Sequence, residues 1–310
     1  MQNNLQFFCR GLLRLNPIFA SGKGALEVYP YEIQNKRHYR KSVFSPQNAS
    51  EHIANMELQL LIILCLAAFA AGFVDAIVGG GGLIQTPVLL IAFPNLPVAA
   101  VIGTLKIPAF SGTSIAASQY LRKVAVDWKL LGLMVVLAIP SGYLGSMLLT
   151  RVSNELMKPV LLVALSVLAL YTYANKQFGA HADKSQSPFQ QMLYAALISI
   201  VVGFYDGFIG PGTGTFFVLA FVALLGLDFM QASANAKMVN LATNLGSIAL
   251  LGAKGKIIWS IALPMAFCNA LGGFVGARLA LHRGNAFIRM VFLVVVIGTL
   301  LRFAYDVFFK

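Results

Sequence analysis

The chain has 310 residues, 58% hydrophobic and 11% charged, and its mean hydropathy of +0.76 is well above that of a soluble globular protein of this length. That composition excludes a soluble domain and predicts a protein embedded in a bilayer. The net charge of +12 does not read as a nucleic-acid surface, because beyond residue 56 the basic groups lie mostly in short loops between apolar segments, where they set membrane orientation.

Residues 1–55 are polar, mixed in charge and interrupted by Pro17, Pro30 and Pro46, which predicts a poorly ordered extension. They lack the apolar core and small-residue cleavage site of a secretory signal. The basic run from Lys36 to Lys41 is expected to be a solvated tail, with contact to anionic lipid as the alternative. Met56 directly precedes the first apolar span and is a second candidate initiator beside Met1.

Apolar runs near 58–78, 97–121, 130–150, 156–174, 190–209, 229–252, 257–281 and 286–309 each approach the roughly 20 residues that cross a hydrocarbon core as a helix. The expected fold class is an all-α integral membrane protein of about eight transmembrane helices. A transmembrane β-barrel would instead show alternating segments of about 10 residues. The basic loops after the second and sixth spans, with Arg122, Lys123, Lys254 and Lys256, and the linker with Lys176 and Lys184, are placed in the cytoplasm.

The chain is written twice. Sliding residues 72–145 onto 203–276 without a gap matches thirteen identical residues, and the shared offset of 131 also relates Asp75 to Asp206, Lys106 to Lys237 and Trp128 to Trp259. The expected organisation is a membrane repeat over 56–174, a polar cytoplasmic linker over 175–189 and a second membrane repeat over 190–310, each with about four helices. An even number of crossings makes the repeats parallel. If residues 83–93 and 214–226 cross completely, each repeat has five spans and the halves invert.

The first span of each repeat runs into glycines: Gly79, Gly80, Gly81 and Gly82 after Asp75, and Gly210, Pro211, Gly212 and Thr213 after Asp206. Glycine in a helix interior costs about 1 kcal/mol relative to alanine and proline about 3 kcal/mol, so the backbone is expected to unwind there. Freed N–H and C=O groups at membrane depth must be buried in protein or line a wet cavity, which makes each break a candidate ligand site. The short segment after each break is expected to be a half-helix whose N-terminal amides attract an anion. Close helix packing through small residues is the alternative.

Lys106 and Lys237 sit some ten residues into the second span of their repeats. Ten residues is about 15 Å of helix, more than a lysine side chain reaches by snorkelling, so both are expected to be buried ligands for an anion. Thr104 and Asn235 stand two residues before the lysines, and Asn240 and Asn244 share a helical face with Lys237; all four are assigned to the same substrate site. Asp75 and Asp206 are candidates for ion or proton coupling, with a fixed structural Asp–Lys pair as the alternative.

Cys9, Cys65 and Cys268 have no CxxC spacing, and three of the four histidines lie in polar segments, so no disulfide framework, metal site or cofactor is expected. The Gly142-x-x-Gly145 face serves within a monomer as well as between monomers, which leaves a homo-oligomer open.

The repeated Asp, glycine break and buried Lys resemble the sulfite exporter TauE/SafE family, also called the TSUP transporters, over about residues 58–309. The resemblance implies movement of sulfur-containing anions, such as sulfite, organosulfonates or related carboxylates, across the bacterial cytoplasmic membrane. It also implies a path formed by Asp75, Gly79 to Gly82 and Lys106, with Asp206, Gly210 to Thr213 and Lys237. Pro211 and Thr213 depart from the glycines of the first repeat. No GxxxxGK[ST] loop occurs, so an ion, proton or substrate gradient is the expected energy source. A passive anion channel using the same lysines is the alternative. An integral membrane enzyme would need a partnered nucleophile or a carboxylate cluster that the sequence lacks.

Overall fold

Pro, Gly and Asp positions set the helix limits. The computed structural model describes residues 46–153, 155–156 and 187–309. Among them are eight α-helices and no strand: α1 Pro46–Val78, α2 Gly81–Ala92, α3 Val98–Leu121, α4 Trp128–Leu149, α5 Pro188–Phe208, α6 Thr213–Leu225, α7 Phe229–Ala253 and α8 Trp259–Phe309.

Asp127 caps α4 by accepting from the Lys129 and Leu130 amides at 2.9 and 3.2 Å, and Asp228 caps α7 through Met230 and Gln231 at 2.8 and 2.9 Å. Ser187 and Gln190 form a reciprocal capping box on α5, with Pro188 at its first turn. Each such cap contributes about 1 kcal/mol by satisfying amides that the helix itself leaves unpaired. Gly226, at φ +69°, closes α6 in the left-handed conformation that glycine adopts without strain.

Among the described residues, five stretches are long and apolar enough to cross a membrane: Leu58–Val78 of α1, α3, α4, α5, and Trp259–Val291 of α8. The sixth predicted span is a helix of 25 residues, α7, but it stands outside that set. Ser233, Asn235, Lys237, Asn240 and Asn244 all lie on it and lower its apolar average. The last two predicted spans both fall in α8, separated where Gly284 leaves helical geometry at φ +76°. The fourth predicted span, 156–174, and most of the linker lie outside the described residues. α1 begins at Pro46, inside the segment predicted as an extension, because proline suits the first turn of a helix. The basic run from Lys36 to Lys41 is outside the described residues.

The chain divides into two units, residues 1–59 and 60–310. Of the first, the described part is the opening of α1. In the second, the helices meet through glycines. A Cβ on Gly142 of α4 would collide with the Thr243 backbone of α7, and one on Gly145 with the Phe204 carbonyl of α5. On α8, Gly273 and Gly276 stand in the same relation to the backbones of Gly112 in α3 and Phe73 in α1. Gly142 and Gly145 are therefore used within the chain. With the lipid as apolar as the side chains, such backbone approach supplies the dispersion energy that holds membrane helices together.

Candidate functional site

α1 stops two residues before α2 starts, and α5 stops shortly before α6. At the first stop Gly79 has φ +85°, and at the equivalent second position Gly210 has φ +90°. Both angles are strained for any residue with a side chain. α2 and α6, of 12 and 13 residues, are about 18 and 20 Å long, short of the roughly 30 Å hydrocarbon core. The two stops touch: the Thr215 amide donates to the Gly79 carbonyl at 3.0 Å. A Cβ on Gly79 or Gly214 would overlap the other's backbone.

Around this junction lies a cavity of about 50 Å³, room for a few waters where roughly 10–15 Å³ holds one. Its wall includes Asp75, Gly79 and Gly82 from the first stop and Asp206, Gly210, Pro211, Gly212, Thr213 and Gly214 from the second. α3 contributes Ile102, Leu105, Lys106, Ala109 and Thr113, α7 contributes Asn240 and Asn244, and α2 contributes Gln85 and Thr86.

Lys106 is 4% exposed and Asp206 2%. The Lys106 ammonium donates to Asp206 Oδ2 at 2.7 Å and to the Asp206 carbonyl at 2.8 Å. A lysine of α3 thus has its counter-ion near the end of α5, one hundred residues away. Two charges can stay this deep because their mutual attraction offsets the cost of leaving water and a second lysine N–H finds a carbonyl.

Lys237 and Asp75 meet differently. Lys237, 2% exposed, donates to the Asp75 main-chain carbonyl at 2.8 Å and stands 5.3 Å from the centre of the Tyr120 ring, an attractive cation–π placement. The Asp75 carboxylate instead accepts the Gly81 amide at 3.2 Å and the Thr113 hydroxyl at 3.3 Å. Gly81 opens α2, so the protein's own carboxylate occupies a helix N-terminus that the sequence suggested for an external anion.

Of the residues assigned to the site from sequence, Lys106, Gly79, Gly82, Gly210, Gly212, Thr213, Asn240, Asn244, Asp75 and Asp206 line the cavity. Gly80, Gly81 and Lys237 do not line it; Gly81 and Lys237 are tied to it through hydrogen bonds to Asp75, and the Gly80 carbonyl accepts the Leu83 amide. Thr104 points elsewhere: its hydroxyl donates to the Ala100 carbonyl and accepts the Ile258 amide at 3.0 Å, fixing the turn before α8. Asn235 donates back along α7 to the Gln231 carbonyl at 2.8 Å. Gln85 and Thr86 were not assigned from sequence. A polar pair inside the apolar segment 83–93 was the available signal, but it has no repeat partner, because the equivalent residues are Phe216 and Phe217.

The family model of the sulfite exporter TauE/SafE matches residues 64–303. A "Probable membrane transporter protein" of Haemophilus influenzae is 34% identical over 249 residues, covering 80% of this chain and 96% of its own. "Probable membrane transporter protein ORF9" of a Sinorhizobium species is 34% identical over 253 residues, 81% and 95% of the two chains. "Probable membrane transporter protein YfcA" of Escherichia coli K12 is 31% identical over 247 residues, 80% and 90%. No solved structure matches the chain. With this family match, these relatives and several apolar helices of membrane length, the chain belongs to the sulfite exporter TauE/SafE family and is a multi-pass membrane protein.

Proposed function

We propose that the chain is a secondary transporter for a small anion, namely sulfite, an organosulfonate or a related carboxylate, in the bacterial cytoplasmic membrane. One observation carries the reading: the buried ammonium of Lys106 lies in the cavity wall, neutralised by a carboxylate from the other half of the sequence. A buried ionisable pair at membrane depth is costly to maintain and marks a path for charge.

In this reading the two halves form a pseudo-symmetric scaffold of about eight crossings, with broken helices at the α1–α2 and α5–α6 junctions, and rock around the cavity. Lys106, Thr213, Asn240 and Asn244, with the glycine backbones of both junctions, contact the anion. Lys237, Gly80 and Gly81 hold Asp75 and the first junction in shape. Thr104 and Asn235 act one layer further out.

The ion pair also supplies coupling. While Asp206 is charged, an anion entering beside Lys106 meets a carboxylate already in its place. When Asp206 takes up a proton, the lysine charge is left uncompensated and an anion restores balance. Proton and anion then move in the same direction, and the site never carries a net buried charge. Asp75 is the second candidate for this exchange, with its carboxylate bonded only to an amide and a hydroxyl.

Reconstituted liposomes test the reading. Sulfite, methanesulfonate, acetate and sulfate are offered with and without a pH gradient, and saturable uptake of at least one, accelerated by acid on the anion side, is expected. A chain that moves none of them under either condition, while folded in the bilayer, refutes it.

A further inference from the structure

The cavity wall carries a polar pair on α2 that has no counterpart at the matching positions of α6. Gln85 is 2% exposed, lines the cavity, and its Nε2 has no hydrogen-bond partner. Thr86, 3% exposed, lines it beside Gln85. The equivalent positions on α6 are turned to packing: the Phe216 ring meets Tyr205 edge-on at 5.1 Å and Phe217 stacks on Phe221 at 5.7 Å. Neither phenylalanine lines the cavity.

A buried amide donor needs an acceptor, and with no protein acceptor in reach the Gln85 amide must find it in the cavity. A ligand oxygen in the cavity would satisfy it. We infer that Gln85 is the specificity-determining residue of this cavity, an N–H donor that selects anions by the number of oxygens they present. The inference rests on the anion reading above and goes beyond it by naming what discriminates one anion from another.

Three donors line the space: the Lys106 ammonium, the Gly214 amide in the first turn of α6, and the Gln85 amide, while Thr213 spends its hydroxyl and amide on the Gly210 carbonyl. An anion head with three oxygens, as in sulfite or a sulfonate, offers an acceptor to each. A carboxylate can accept as many hydrogen bonds, but its two oxygens lie in one plane and cannot point at three donors spread around the space as a pyramidal head does. A site built to hydrogen-bond a group discriminates most strongly against ligands that lack it, because the unpaired protein group is then buried.

The test is uptake into liposomes by the full chain and by Gln85→Met, which keeps the side-chain length and removes the donor. Initial rates are measured for methanesulfonate and acetate across concentration. The wild type is expected to prefer methanesulfonate. Gln85→Met is expected to raise the KM for methanesulfonate tenfold or more and that for acetate less than threefold, so that the preference collapses. A folded variant with the wild-type preference overturns the role of Gln85 and leaves the transporter reading standing. A wild type that moves neither anion overturns the inference, and the transporter reading falls with it only if sulfite and sulfate are not moved either. If Gln85→Met does not assemble, Gln85→Asn in detergent carries the test: methanesulfonate should raise its melting temperature by less than half the wild-type shift, and an equal shift overturns the inference.

Discussion

The two halves of this chain place the same residue types at the same positions and use them differently. In one direction, Lys106 of the first half makes a side-chain ion pair with Asp206 of the second, at 2.7 Å and in the cavity wall. In the other, Lys237 of the second half, which does not line the cavity, reaches only the main chain of Asp75, and the Asp75 carboxylate turns to cap α2. The matched residue types meet different neighbours, and in the proposed reading those neighbours decide which lysine serves as a charge site and which as a brace. Small differences suffice: Gly82 and Ala109 in one copy are Thr213 and Asn240 in the other, and Gln85 is Phe216.

The sharpest way to break the comparison is at the glycines. Gly79→Ala puts a Cβ into the Gly214 backbone at a left-handed position, and no folded protein is expected by size-exclusion chromatography in detergent. The equivalent Gly210→Ala has the same strain, at φ +90°, but its nearest neighbour is 3.4 Å away. It should fold with a loss of about 1–2 kcal/mol, read as a lower melting temperature.

Next come the lysines. Lys106→Met leaves the Asp206 carboxylate buried without a counter-charge, a loss of about 3–5 kcal/mol by the usual cost of breaking a buried pair. Adding Asp206→Asn should restore most of that stability, with anion uptake still absent. Lys237→Met removes one of the two hydrogen bonds to the Asp75 carbonyl, which keeps the Gly79 amide, and removes a cation–π contact. A loss of about 1–3 kcal/mol is expected, with a change in anion KM of less than threefold. Equal transport defects in the two lysine variants would erase the distinction between the copies.

Much of this was legible in the sequence, and the reasons are specific. Asp75, Asp206, Lys106 and Lys237 stood out because rare charged residues recur at a fixed offset in an apolar background. The stops at Gly79 and Gly210 followed from glycine's cost in a helix. The crossing of Lys106 to Asp206, one hundred residues away, was not legible, since one sequence offers either half as its partner. Thr104 and Asn235 were drawn into the site by their nearness to the lysines, but two residues along a helix turn a side chain to nearly the opposite face. Thr104 accordingly braces the Ile258 amide.

A smaller effect sharpens the picture at the first junction. Thr113→Val removes one of the two hydrogen bonds to the Asp75 carboxylate, and a loss of about 0.5–1.5 kcal/mol is expected in thermal melts, with uptake retained. At the other limit, a Cβ on Gly132 meets nothing within 4 Å, so Gly132→Ala should leave uptake unchanged and add up to about 1 kcal/mol of helix stability.

The most direct measurement is the pH dependence of methanesulfonate binding, by calorimetry in detergent, for the wild type and Asp206→Asn. If the Asp206 charge competes with the anion for Lys106, wild-type affinity weakens as pH rises, while the variant binds at least as tightly as the wild type at its best and with a flatter pH profile. A variant that no longer binds methanesulfonate, or one that keeps the wild-type pH profile, would contradict it.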